Sequence, residues 1–229
     1  MLMKKVILFF LVASIYTGIN AQRNADYGAT GGVTSYIGDI NPGKLLYSIQ
    51  PAAGLFYRYN LNPREAFRIN FLFGGIEGND LDFNNSFQQS RANSFSGTIG
   101  EWSTVFEFNF FPYHTQGKRW KSTPYLAAGA GFVFINTIDF TYTPVFPFSF
   151  GLKLNIYNNL GLEAEYGFRK TFYDNFDGLT DFVDPDEHGW IHNNDWYSYT
   201  GISFTWKIYN KLAGCPVYND VKSGKKKKR

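Results

Sequence analysis

Glu163 and Glu165 stand two positions apart in LGLEAEYGF, a spacing that sets both carboxylates on one face of an extended strand, and Glu107 occupies the equivalent parity of EFNFF. Paired carboxylates are equipment for general acid–base chemistry. Their neighbours point elsewhere, because no nucleophile with an adjacent His occurs on these segments. The same faces gather Arg58, Arg68, Lys153 and Arg169 as bases and Glu101, Glu107, Glu163 and Glu165 as acids. Four of each sign are expected to form ion pairs, and no catalytic residue is assigned.

A second candidate is DPDEHGWIHNND at 184–195, which places Asp184, Asp186, Gly189 and Asp195 at positions one, three, six and twelve of a calcium loop. His188 at position five, Asp in place of the final Glu and the lack of flanking helices spoil the match. His188 and His192 are four apart and suit a loose transition-metal site, but loop histidines are usually solvated or stacked on neighbours such as Trp190. Cys215 is the only cysteine. It excludes an internal disulfide and a thiolate cluster, so neither metal nor cofactor is expected.

The elements that must position these residues alternate. In VFPFSFGLKLNIY (145–157), Phe146, Phe148, Phe150, Leu152, Leu154 and Ile156 share one parity, while Pro147, Ser149, Gly151, Lys153, Asn155 and Tyr157 share the other. A soluble sheet would bury such a face against a second layer, and no amphipathic helices are present to supply one. The greasy face is therefore expected to meet lipid. Aromatic residues make up 20% of the chain, and a mean hydropathy of −0.26 is what averaging of lipid-facing and lumen-facing positions produces.

The reading is an all-β fold, an eight-stranded antiparallel up-and-down transmembrane β-barrel, with strands near 27–38, 48–61, 65–76, 98–111, 124–136, 145–157, 161–173 and 195–209. Each exceeds the ~9–11 residues that a tilted spanning strand needs. Outer loops fall at 39–47, 77–97, 137–144 and 174–194. An interior of eight strands has room only for side chains, so the charges must neutralise one another as a packed plug. Glycines 129, 131, 151, 167 and 201 are expected where strands crowd.

Met1-Leu2-Met3-Lys4-Lys5, the apolar run Val6 to Ile15 and the small residues ending at Ala21 read as a signal peptide over 1–21, too short to span. The barrel is assigned to 22–209 and a basic periplasmic tail to 210–229. Removing Lys4 and Lys5 leaves 20 basic and 19 acidic residues, net +1, but 22–209 holds 13 basic and 18 acidic groups, net −5. The tail carries Lys222, Lys225, Lys226, Lys227, Lys228 and Arg229, and the link from Pro112 to Thr123 carries Lys118, Arg119, Trp120 and Lys121. These ten are the candidate partner-binding residues, set opposite acidic outer loops. Despite the basic run, nucleic acid is not an expected partner in the compartment that an exported protein reaches.

Six stretches resemble a known family: SYIGDIN (35–41), FRINFLFGGIEGND (67–80), EFNFFPY (107–113), TPYLAAGAGFVF (123–134), LGLEAEYGFRKTF (160–172) and NDWYSYTGISFTW (194–206). They look like the PorG-like outer-membrane β-barrels of the type IX secretion system and their wider DUF6089 relatives. What the resemblance implies is a noncatalytic protein of the Gram-negative outer membrane, both termini periplasmic, that ties a periplasmic lipoprotein ring to the membrane. Its partners would be outer-membrane lipids and the lipoprotein and ring subunits. The tail GCPVYNDVKSGKKKKR departs from the shorter relatives. Two other readings are an outward-facing adhesion or ligand-binding barrel using loops 77–97 and 174–194, and a membrane-embedded enzyme using His188 or His192.

Overall fold

The computed structural model describes residues 25–41, 43–113, 121–137, 140–157, 159–172 and 195–208. Eight strands close into one antiparallel barrel in chain order: β1 (Ala25–Ile37), β2 (Gln50–Asn60), β3 (Glu65–Asn79), β4 (Ser94–Asn109), β5 (Ser122–Asn136), β6 (Phe140–Tyr157), β7 (Leu160–Thr171) and β8 (Trp196–Ile208). β1 pairs with β8 along its whole length, from Ala25 opposite Ile208 to Ile37 opposite Trp196, so no free edge runs down the wall. β1 begins and β8 ends at the same end of the barrel, here called the terminal end; the other is the distal end.

Alternation sorts the side chains by solvent. On β6 every even position from Phe140 to Ile156 is exposed, while Thr143, Val145, Ser149 and Lys153 are buried. β3 does the same with Phe67, Ile69, Phe71 and Phe73 outside and Arg68 and Leu72 inside. Charges inside and phenyl rings outside invert a soluble protein. The wall therefore suits a hydrocarbon surround, and the barrel is a transmembrane one. At the terminal end Tyr27 lies directly opposite both Tyr57 and Trp206, with Tyr59 beside them, forming an amphipathic aromatic girdle of the kind that marks a membrane–water boundary. Phe140 and Tyr142 stand exposed near the distal end.

Several strands run farther than the sequence suggests. The 77–97 loop contracts to 80–93 because Glu77 pairs with Ser96 and Asn79 with Ser94; the 137–144 loop contracts to 137–139 because Phe140 pairs with Asn136. In the second case the alternation itself continues, with Phe140, Tyr142 and Pro144 still facing out. Within 80–93 lie a single 3-10 turn, Asp80–Asp82, and one short helix, α1 (Ser86–Arg91), whose first turns are capped by the side chains of Asn79 and Asn85.

β2 is the exception. Its pairing with β1 stops at Thr34 opposite Gln50, and with β3 at Ala52 opposite Gly74, although both neighbours continue distally. Side chains close the resulting notch. Thr34 donates to the Gly75 carbonyl, Asn41 Nδ2 donates to the Tyr36 carbonyl at 2.8 Å, and the Tyr47 hydroxyl accepts from the Asn79 N–H at 2.9 Å. The turn that delivers Tyr47 holds Leu46 and Ser48 at φ of 56° and 42°, the left-handed region that bulky residues avoid. Burial, with the Asp82 carboxylate 2.7 Å from the hydroxyl, pushes the Tyr47 phenol up to about 12.

Candidate functional site

The charged residues converge in the lumen around Glu107, which is fully buried on β4. Its carboxylate takes Lys153 Nζ from β6 at 2.5 Å, Arg58 Nε from β2 at 2.7 Å and Arg68 Nε from β3 at 3.0 Å. The two Nε contacts lie off the N–H direction, so they act as ion contacts more than as hydrogen bonds. Arg58 and Arg68 are direct cross-strand neighbours, an arrangement that repels by itself. Glu107 reaches between them from the next strand and offsets that repulsion.

The remaining acids complete the network. Arg58 donates to both oxygens of Glu163, Nη1 to Oε1 at 2.7 Å and Nη2 to Oε2 at 2.6 Å, and Thr205 donates to Oε1 at 2.8 Å. Glu165 receives Arg68 Nη2 at 2.7 Å and the Tyr125 hydroxyl at 2.8 Å, with Arg169 Nη2 at 3.4 Å. Glu101 accepts from Ser103 at 2.6 Å and from Tyr197 at 2.7 Å, with Arg169 Nε at 3.4 Å. Glu163 and Glu165 are thus held by separate arginines and separate hydroxyls, as members of an ion-pair network.

Two further members were not singled out from the sequence. Asp26 on β1 is buried and lies directly opposite Arg58 and Lys207, with a 3.7 Å contact to Arg58 Nη1. Lys207 Nζ sits 5.0 Å above the Tyr113 ring. Both share the lumen-facing parity of their strands, but Asp26 precedes the expected start of β1, which the structure moves to Ala25. With them, five acids face five bases.

Both mouths are shut. Distally, Tyr36, Ile40, Ile76, Phe95, Ile99, Val133, Ile135, Val145 and Tyr197 pack as one apolar plug. Ile40 comes from the β1–β2 connection and is pinned by Gln88 of α1, whose Nε2 donates to its carbonyl at 2.8 Å. Arg91 clamps the same cap through two bonds to Asp80, at 2.6 and 2.7 Å. Burial works to raise Asp80, but Arg91 and the Asn93 N–H outweigh it and hold its carboxyl below the ordinary range. At the terminal end Tyr113 folds under the lumen, its N–H donating to the Pro63 carbonyl at 3.0 Å, and burial raises its phenol well above the usual value. A cavity of about 20 Å³ beside Thr30, Asn70, Arg68 and Tyr199 has room for a water molecule.

Of the candidate partner-binding residues only Lys121 is described. It is exposed at the terminal end, its carbonyl accepting from the Asn155 N–H at 2.7 Å. Lys118, Arg119, Trp120, Lys222, Lys225, Lys226, Lys227, Lys228 and Arg229 lie outside the described residues, as do the signal peptide, Cys215, His114, His188 and His192. Of the calcium-like loop only Asp195 is described. It is buried at the distal rim, where its Oδ1 accepts from the Tyr36 hydroxyl at 2.6 Å. That bond ties it to β1, a duty the loop pattern did not suggest.

A search of functionally curated proteins finds no match to the chain. Among solved structures, Neisserial surface protein A (NspA) superposes with a TM-score of 0.49 at 10% identity, covering 80% of this chain and 97% of its own. Ail, the attachment invasion locus protein of Yersinia pestis, gives 0.45 at 14% identity, over 80% and 99%. The outer membrane protein OprG from Pseudomonas aeruginosa gives 0.45 at 8% identity, over 82% and 98%. The family model described as a domain of unknown function, DUF6089, matches residues 3–217, and the chain belongs to that family.

Proposed function

We propose that this barrel sits in the outer membrane of a Gram-negative cell, with its terminal end in the periplasm, and works there as a noncatalytic anchor of the type IX protein secretion machinery. The orientation follows the usual asymmetry of such barrels, short turns inside and longer loops outside, since the shortest connection, 158–159, is at the terminal end and the two longest, 80–93 and 172–195, are at the distal end. The observation that carries the reading is the filled lumen. Among the described residues, ion pairs, an apolar plug and Tyr113 fill the lumen, which favours the rims as the surfaces that meet a partner. The periplasmic rim exposes Arg64, Phe110, Phe111 and Lys121, cations beside aromatics, which suits docking of a periplasmic lipoprotein ring. The resemblance of SYIGDIN, EFNFFPY and NDWYSY to PorG-like barrels supports the choice of that machine.

A second reading, an outward-facing binding protein, draws on the cap that α1 and the Asp80–Arg91 clamp hold over the distal end, where Leu81 and Phe87 stand exposed. Affinity purification from detergent-solubilised outer membranes separates the two. Intact protein is compared with a form ending at Tyr209 and with one in which Lys118, Arg119 and Lys121 are reversed to Glu. Periplasmic lipoprotein and ring subunits are expected with the intact chain and reduced with the altered ones. Recovery of the barrel alone in mild detergent and low salt would move the assignment to the outward-facing reading.

A further inference from the structure

The outer wall carries a groove of about 410 Å³, a volume within the roughly 300–1,000 Å³ of small-molecule pockets. Its walls are Leu55, Phe71, Phe73, Trp102 and Phe134, and Gly100 lies in its floor. The strand register explains its shape. Phe73 on β3, Gly100 on β4 and Phe134 on β5 occupy one row, so two phenyl groups flank a position with no side chain. Neighbouring strands are about 4.8 Å apart, which leaves a slot one side chain wide. One row toward the terminal end Phe71 and Trp102 lie parallel, their planes 4° apart and centroids 6.0 Å apart, and form a flat wall.

The barrel does not need a glycine at this place. A Cβ on Gly129 or Gly131 would come within 2.0 or 2.2 Å of a neighbouring backbone carbonyl, so those positions admit nothing larger. A Cβ on Gly100 would meet only Phe73 Cδ2, at 4.0 Å. Glycine weakens a strand and forgoes apolar surface on a lipid-facing row, so its presence here has no account in the fold. The groove walls are continuous with the lipid-facing belt, standing 44–64% exposed, while Glu101 turns its carboxylate into the lumen.

We propose that this slot holds one acyl chain of a membrane phospholipid as a fixed ligand, distinct from the exchanging lipid around the rest of the wall. The inference rests on the transmembrane barrel alone and not on its role in secretion.

The test uses the full chain in nanodiscs of palmitoyl-oleoyl phosphatidylethanolamine, released for native mass spectrometry. Gly31→Leu is the matched control, because Gly31 also faces outward with open space where a Cβ would stand and is separated from the Gly100 slot by Ala53 and Phe73 in the same row. Wild type and Gly31→Leu are expected to retain one phospholipid per barrel, and Gly100→Leu to retain at least fivefold less, with folding checked by heat-modifiable gel mobility. Should Gly100→Leu fail to fold, Phe134→Ala removes one wall and is expected to show the same loss. Equal retention by the groove variant, or no lipid on wild type, overturns the proposal. So does a second protein chain on wild type that Gly100→Leu sheds, which would make the groove a protein interface.

Discussion

Replacing Glu107 by Gln removes one negative charge from a point where three cations meet and leaves the volume unchanged. Each cation stands 2.5–3.0 Å from a carboxylate oxygen. At an effective dielectric of about 20 a contact near 3 Å is worth roughly 5 kcal/mol before desolvation, and the carboxylate's own desolvation returns several kcal/mol of the total. Arg58 keeps Glu163 and Arg68 keeps Glu165, whereas Lys153 has no other ion pair among the described residues. The variant is therefore expected to lose about 3–5 kcal/mol of unfolding free energy, the range for breaking a buried pair from one side. Equilibrium urea unfolding in lipid bilayers, followed by tryptophan fluorescence, reads that loss. The companion is Glu107→Gln with Lys153→Met, which removes the stranded ammonium. It should recover about 1–3 kcal/mol relative to the single variant. A single variant within about 1 kcal/mol of wild type, together with strict additivity in the pair, would refute the reasoning. Lumen water would then be screening the charges and the network would not be a dry plug.

Two other expectations can be checked directly. The Asp80–Arg91 clamp steadies the distal cap; because its carboxyl is held low in the folded protein, the contribution is complete above the ordinary aspartate pKa of about 3.9 and fades as pH falls through the depressed value. Hydrogen exchange at the Asn93 amide, which donates to Asp80 Oδ2 at 3.0 Å, should therefore be slow at neutral pH relative to its intrinsic rate and lose protection only as the pH falls below the ordinary aspartate range, with Asp80→Asn showing little pH dependence. Gly129→Ala should cost about 1–3 kcal/mol in the same urea assay, since its Cβ would press on the Thr104 carbonyl at 2.0 Å, whereas Gly31→Ala should be near neutral. Equal effects would mean that the wall relaxes freely.

Which residues face the lumen was legible in the amino-acid sequence, because side-chain direction along a strand repeats every two residues and needs no knowledge of neighbours. Phe148 and Phe150 outside, Ser149 and Lys153 inside, follow from parity alone, and so do eight of the ten lumen charges. Strand ends were less legible. The extension of β3 and β4 to Asn79 and Ser94 depends on pairing with each other beyond the membrane belt, where Gly78, Ser96 and Gly97 blur the alternation. Only the tertiary structure decided who pairs with whom. Glu107 collects Arg58, Arg68 and Lys153 from three strands because closure and stagger bring those levels together, and no local pattern encodes that stagger. The same holds for Tyr113 and Ile40, which seal the two mouths from connecting segments, and for the slot at Gly100, which exists only because register sets Phe73 and Phe134 on either side of it. Parity is a property of one strand; an ion-pair network, a plug and a groove are properties of the closed wall.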